Sequence, residues 1–520
     1  MSGLLCLLCL SACRSAGPRA PEKALDPGSE PSFTGAQLAE DFSLLRQVVE
    51  QLHPGLYRYN TKASVEASFR TLLGAVEHGA SPGEAYRALS VFLATIRCGH
   101  TYANFFNQPK RLADRLFRSG ATRVPFWFVW RGEGMVVTRD FTAGALLPPG
   151  TEVLALDGVP APAILSALLA VARADGSNDR KRVNGLEIHG DTDLEAFDIY
   201  FPLFFPQRVA GRYLLSVRSP SGAPSDVPVE ALTFPQRLAP VQAALAARRG
   251  GEAPIWTLSI EGQGAWLTMP TWALYQSRWD WKEFLRQSFL ALQQRRVRDL
   301  VIDLRGNEGG LAVGDVLLPQ LVRAPLRLEP LERRVRYRRV PDSLLPVLDT
   351  WDPSFKDWGA AAAGPVDGFY RLTRSGDGDA GPIVTPVAQP FAGKVWVVVD
   401  ASNSSATFEF AQVVPARAPG HADRIGHRGK PARDQWWGVL LRPAAAHRAG
   451  GRPPADRAVP AAGGAGRGAR AGPRGRDDGA RHRGGTRSDP RQAVVTVGGD
   501  PALTGPSDFP RGRPPPRRRR

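Results

Sequence analysis

Two serines, two glycines and one histidine carry the residue types from which acyl chemistry can be built. Ser404 and Ser405 lie in Lys394–Val414, KVWVVVDASNSSATFEFAQVV, where an apolar run ends at Asp400 and Phe410, Val413 and Val414 then fall on one helical face. The pattern predicts strand, tight turn and helix. A hydroxyl at that helix start sits in the field of unsatisfied backbone N–H groups, which stabilises an alkoxide-like charge and can receive an oxyanion. Serine is also a preferred helix N-cap, so Ser405 has a purely structural reading beside the chemical one. A second apolar run, Val297–Leu304, leads into Arg305-Gly-Asn-Glu-Gly-Gly310, and no side chain obstructs the N–H groups of Gly309 and Gly310. If the two strand ends face each other, a nucleophile and oxyanion donors meet, and what is missing is a base.

Eight histidines are available. His421, His427, His447 and His482 fall in an arginine-rich tail, His53 and His78 read as surface residues at helix ends, and His189 as a loop residue. His100 stands apart, just beyond a well-marked helix, in Cys98-Gly-His-Thr-Tyr102. A lone histidine in that setting has a structural reading as well.

The elements that must position these groups follow from periodicity. Thr34-Gly-Ala-Gln37 predicts a capping box before a helix with Leu38, Phe42, Leu45, Val49 and Leu52 on one face, stopped at His53-Pro54. A second helix is expected from about Ser64 to Val76. A third opens at Ser81-Pro-Gly-Glu84 and runs to Gly99. From Pro125 the period shortens to strands, PFWFVW, GMVVTRD and Thr151–Leu156, the last closed by an Asp157-Gly158 turn and followed by a helix near Ile164–Val171. Residues 233–252 read as a polar connector. Beyond Pro254, paired strands, a helix over Trp279–Arg296 and the two apolar strands form an α/β pattern, in which sites gather at the carboxyl ends of strands.

Charge is unevenly distributed. The chain of 520 residues carries a net +17, but residues 416–520 hold 23 Lys and Arg against 8 Asp, leaving the rest near neutral at +2. No basic face interleaved with aromatics occurs in that remainder, which excludes nucleic acid as a partner class. At the other end, Met1–Cys13 is an apolar stretch too short to span a bilayer, with small residues before Cys13. Leu10-Ser-Ala-Cys13 resembles a bacterial lipoprotein lipobox, which implies lipidation at Cys13, loss of Cys6 and Cys9 with the signal, and a lipid-anchored, periplasm-facing chain. Cys98 would then be the only other cysteine, so neither a disulfide framework nor a metal cluster is expected from cysteine spacing.

Three motifs in order resemble one family. Val301-Ile-Asp-Leu-Arg-Gly-Asn-Glu-Gly-Gly310 is similar to the DLRGNxGG signature of the C-terminal-processing, or tail-specific, serine peptidases. Asn403–Ala411 resembles the nucleophile segment of that family, and Cys98-Gly-His100-Thr the GHT element of its tricorn-like branch. The resemblance implies a multi-domain α/β chain: a lipoprotein signal at 1–13, a linker at 14–33, a helical cap at 34–115, a PDZ-like β-rich domain at 120–232, a crotonase/ClpP-like peptidase core at 254–414 and a disordered tail at 415–520. It implies Ser405 as nucleophile, with Ser404 as competitor, His100 as base, and the amides of Ala406 and of Gly309 or Gly310 as oxyanion hole. No metal and no cofactor is implied, and the partner is a peptide or unfolded protein tail. The alternative is an inactive peptide- or ligand-binding protein on the same scaffold. Nothing between the two strand ends resembles an adenine or pyrophosphate site, which disfavours an acyl-CoA enzyme.

From Pro415 the composition turns to Arg, Gly, Ala and Pro with no Glu. A synonymous coding of Gly429–Arg442, read one nucleotide later, gives GNQRGINGGAFFF, which resembles the glycine-rich strand following the serine helix in this branch. A frameshift between about Val413 and Gly429 is therefore expected, making Lys430 an accident of the frame rather than the lysine base of other members. An acidic partner for the histidine would be lost with it, the apolar surface at 394–414 left uncovered, and activity reduced or abolished.

Overall fold

The computed structural model describes residues 32–248, 251–328, 333–350, 352–373, 381–413 and 437–441. The lipobox-like segment with Cys13, the linker and Lys430 lie outside the described residues, as does all of the tail except Trp437–Leu441.

Three helices open the fold: α1 (Gly35–Leu52), α2 (Lys62–Gly74) and α3 (Pro82–Ala94). The capping box expected at Thr34 and Gln37 forms, and the helix start expected at Ser81 closes as a second box with Glu84, each satisfying orphan N–H groups. The third helix ends at Ala94 rather than Gly99, because Thr95 and Ile96 close it through bonds to Phe92 and Leu93 carbonyls and Arg97 turns left-handed at φ 57°. Residues 98–101 are therefore a loop, free to be shaped by what packs on it.

The β-rich region is an antiparallel sheet of β1 (Phe126–Arg131), β2 (Gly134–Asp140), β3 (Glu152–Leu156), then α4 (Ala161–Leu169), α5 (Asp179–Asn184) and α6 (Ala196–Phe204), and finally β4 (Arg212–Arg218) and β5 (Pro224–Glu230), adjacent in that strand order. In β1 burial alternates, with Phe126, Phe128 and Trp130 inside, as a sheet with one covered face requires. Asp157 and Gly158, at φ 47° and 77°, make the expected tight turn. One hydrophobic core runs from Leu38, Phe42 and Leu89 through Phe128 and Leu156 to Phe197 and Leu215, so helices and sheet are packed as one body.

The stretch read as a connector is helical: α7 (Phe234–Leu238) starts with a Thr233–Gln236 capping box, and α8 covers Gln242–Arg248. Arg237 is buried against Asp198, Nε to Oδ2 at 2.9 Å and Nη2 to Oδ1 at 3.2 Å, which pins the segment to α6. Its polar composition concealed this, because the arginine serves the interior.

The last region is built on β6 (Thr257–Glu261), β7 (Gly264–Thr268), α9 (Trp281–Gln294), β8 (Asp299–Asp303), α10 (Gly314–Leu321), β9 (Lys394–Val399), α11 (Ser405–Val413) and β10 (Trp437–Leu441). The sheet order is β10-β9-β8-β7-β6, parallel except for the β6/β7 hairpin. Strands β8 and β9 are neighbours in register from Asp299 against Lys394 to Asp303 against Val398, so their carboxyl ends lie side by side. The expectation that this surface is uncovered does not hold: β10 pairs along β9, and Val395, Val397, Val398 and Val399 are buried, although Phe408 on α11 is half exposed. Between α10 and β9 a small sheet of 334–335, 362–366 and 369–372 was not foreseen. Val335 of that sheet, with Tyr337 and Leu344 of the segment that follows it, shares one hydrophobic cluster with Val48 and Leu52 of α1, so the insertion joins the last region to the first. No described helix is long and apolar enough to cross a membrane.

Candidate active site

Parallel pairing of β8 and β9 delivers two loops to one place, and hydrogen bonds across the gap fix them. Asn307, wholly buried, donates from Nδ2 to the Met269 carbonyl at 2.8 Å. Its Oδ1 accepts from Trp272 N–H at 3.2 Å, Gly309 N–H at 3.0 Å and the Thr407 hydroxyl at 3.3 Å. From the other loop, Asn403 Nδ2 donates to Leu304 and Asn307 carbonyls, and Asp400 Oδ2 accepts the Gly306 N–H at 2.9 Å. The glycine loop and the serine turn are one hydrogen-bonded unit.

The glycines are required by close approach. A Cβ on Gly309, at φ 98°, would stand 2.7 Å from the Ser404 carbonyl oxygen and 2.9 Å from Ser405 Cβ; one on Gly310, at φ 139°, would stand 2.2 Å from the Trp272 carbonyl. The two candidate amides differ. Gly309 N–H is committed to Asn307. Gly310 bridges Trp272 through Gly309 O and Leu311 N–H, which leaves its own N–H turned away from that strand. Ala406 follows Ser405 in the first turn of α11.

The two serines differ as well. Ser404 Oγ accepts from Lys181 Nζ at 2.5 Å and donates to the Glu308 carbonyl at 3.0 Å. Ser405 has φ 52°, a left-handed conformation that costs an L-residue roughly 1–2 kcal/mol. An N-cap is instead extended, as Thr34 and Ser81 are here, so the capping reading of Ser405 is not realised. A strained strand-to-helix turn with a serine on it is the backbone arrangement of a nucleophile elbow.

Lys181 and Arg173 come from the β-rich region and were not singled out in the sequence, where each is an ordinary basic residue near a helix. Lys181 is buried and also donates to the Ser402 carbonyl at 3.2 Å. Both cations face Glu308, Arg173 Nη2 at 3.2 Å and Lys181 Nζ at 3.5 Å. Burial works to raise the Glu308 carboxyl, but Arg173 and then Lys181 hold it below its usual value; since the side chain is half exposed, water screens part of this. Burial lowers the Lys181 ammonium, opposed by Glu308.

The His100 loop is clamped to this cluster. Gly99 N–H donates to Asp175 Oδ1 at 2.9 Å, Gly99 O accepts from Arg173 Nη1 at 2.8 Å, and the Arg173 guanidinium lies 4.4 Å over the Tyr102 ring. Behind it His53, read above as a surface residue, is buried: it accepts the Gly55 N–H at Nδ1 (3.1 Å), which leaves Nε2–H to donate to Thr101 Oγ1 at 2.8 Å. The Pro54 stop turns the chain inward, so the helix end is covered rather than exposed. His100 is partly buried, and this lowers its pKa; Asp175 opposes the shift, while Arg173 and Lys181 add to it. The histidine is thus held largely neutral near pH 7, in the electrostatic neighbourhood of the lysine that binds Ser404.

Residues 264–432 match the sequence profile of peptidase family S41. No curated protein sequence matches the chain. Among solved structures, a CPAF point mutant is 14% identical over 73% of this chain and 81% of its own, with a TM-score of 0.47. Mature CPAF complexed with lactacystin gives 13%, 73%, 82% and 0.44. The photosystem II D1 C-terminal processing protease gives 15%, 73%, 78% and 0.29.

Proposed function

From the peptidase family S41 domain at residues 264–432, we propose that this chain is a serine peptidase in which Ser405 attacks the scissile carbonyl. His100 takes the serine proton as general base and returns it to the leaving amine. The amides of Ala406 and Gly310 receive the oxyanion; Gly309, whose N–H is spent on Asn307, shapes the loop instead. The observation that carries this reading is the left-handed Ser405 at the strand-to-helix turn, packed against Gly309. Peptides and unfolded protein tails are the proposed substrates. Lipidation at Cys13 would hold the enzyme on the periplasmic side of the bacterial envelope, and radiolabelled palmitate incorporation that survives Cys13→Ser counts against that placement.

A second reading has its own observation. Lys181 Nζ is 2.5 Å from Ser404 Oγ, the contact of a Ser–Lys dyad. Against it, the Ser404 proton goes to the Glu308 carbonyl and the Glu308 carboxylate favours the charged lysine. Labelling by a fluorophosphonate separates the readings. Loss in Ser405→Ala with retention in Ser404→Ala supports the first; the reverse supports the dyad. No labelling of the parent chain, or labelling unchanged in both variants, leaves the inactive binding scaffold.

A further inference from the structure

Beside the histidine assigned as base stand two side chains that have no place in the proposed reaction, Cys98 and Asp175. Cys98 Sγ, a His100 ring nitrogen and an Asp175 carboxylate oxygen all lie within 4.8 Å of one another. Cysteine, histidine and aspartate together are a donor set that suits zinc, with thiolate and imidazole as the borderline-soft ligands and carboxylate as the third. Bond lengths of about 2.3 Å to sulfur and about 2.0 Å to nitrogen and oxygen place tetrahedral ligands roughly 3.3–3.6 Å apart, so small side-chain rotations close the set.

We infer that Cys98, His100 and Asp175 form a binding site for a zinc-class divalent cation, and that the bound cation shuts off the peptidase by occupying the nitrogen of its base. The inhibitory half rests on His100 being that base; the site itself does not.

Three features favour the site. The backbone holds two ligands two residues apart on the short loop after α3, and the third is tied to that loop by the Gly99 N–H bond to Asp175 Oδ1. The other carboxylate oxygen, Oδ2, lies beside the Gly99 Cα, 2.9 Å from where a Cβ would stand. Asp175 is exposed, which gives an ion a way in.

The charge balance is explicit. An ordinary thiol keeps its proton at neutral pH, so the Cys98 S–H must give it up to become a ligand. Metal binding forms the metal–sulfur bond and releases that proton to solvent. The resulting thiolate and carboxylate neutralise the cation's two charges. Arg173 and Lys181 nearby share the single carboxylate of Glu308 and leave an unfavourable positive field, so affinity is lower than in a structural zinc site and inhibition is reversible by a chelator.

The test uses the full chain, stripped with a chelator and titrated with Co²⁺, which reports thiolate ligation as a sulfur-to-metal charge-transfer band. The band is expected to appear with one equivalent and to vanish in Cys98→Ser, with binding at least tenfold weaker in Asp175→Asn. Zinc should reduce parent activity at least tenfold and leave Cys98→Ser, measured against its own metal-free rate, unaffected. Absence of the band, or a band unchanged in both variants, overturns the site. A band lost in Cys98→Ser, together with an active parent that zinc does not inhibit, upholds the site and removes His100 as base.

Discussion

Lys181 Nζ and Ser404 Oγ meet at 2.5 Å across 223 positions of sequence. The lysine belongs to a short helix of the β-rich region, and the serine to the turn that opens the last helix of the α/β region. One buried ammonium therefore ties the two parts of the molecule together beside the proposed nucleophile, within electrostatic reach of the proposed base.

That placement predicts a pH effect. A protonated imidazole cannot accept the serine proton, so the acid limb of kcat/KM reports the base, and with His100 lowered it should fall below the ordinary 6.5. Lys181→Met removes one of the charges that lowers it. The limb should move up toward 6.5, with kcat reduced about tenfold or more as the Ser404 turn loosens. An acid limb that stays in place in this variant would show that the lysine does not act on the base.

Ser405 holds a conformation that favours glycine. Ser405→Ala and Ser405→Gly should both abolish hydrolysis, but Ser405→Gly should be the more stable of the two by about 1 kcal/mol, since it relieves the left-handed strain. Denaturant unfolding of the pair measures this difference. Equal stabilities would mean that the turn relaxes without strain.

Asn307 should prove structural and indispensable to the site. Asn307→Ala leaves the buried N–H groups of Trp272 and Gly309 without their acceptor and the Met269 carbonyl without its donor. Unsatisfied buried groups cost about 1–3 kcal/mol each, so a loss of several kcal/mol is expected. A variant that retains parent stability in denaturant would contradict the hydrogen-bonded unit described above.

His53 should make the helical region acid-sensitive. Burial lowers it from 6.5 to about 4 in the folded protein. Between these values the unfolded chain binds more protons than the folded one, so stability is lost as pH falls from about 6.5 toward 4 and is restored as it rises. The full effect is about 3 kcal/mol, at 1.36 kcal/mol per unit. His53→Gln should flatten the pH dependence of unfolding over that window, and a variant as acid-sensitive as the parent would exclude His53 as the source.

How much was legible in the sequence follows from the range of the forces involved. Helix caps, apolar periodicity and glycine turns act over a few residues. The capping box at Thr34, the helix start at Ser81, the strand at Lys394–Val399 and the helix opening at Ser405 could therefore be read directly, and the motifs at 98–101, 301–310 and 403–411 could be singled out. The failures lay where a residue's environment is supplied by distant chain. Arg237 looked like linker charge because its partner Asp198 lies on another element, His53 looked exposed because the insertion and the Thr101 loop that cover it are remote, and the small sheet at 334–372 has strands too short to show a period.

Sequence alone determined which residue types were on hand: a serine at a helix start, unobstructed glycine amides and a histidine beyond a helix. Only the tertiary structure decided their states. Parallel pairing of two strands set Gly309 against Ser405, a bridge to Trp272 chose which glycine amide is turned outward, and Lys181 and Asp175 arrived from the β-rich region to set the charge around His100. Local bonding rules are written in neighbouring residues, whereas charge, burial and close approach depend on atoms that only the folded chain brings together.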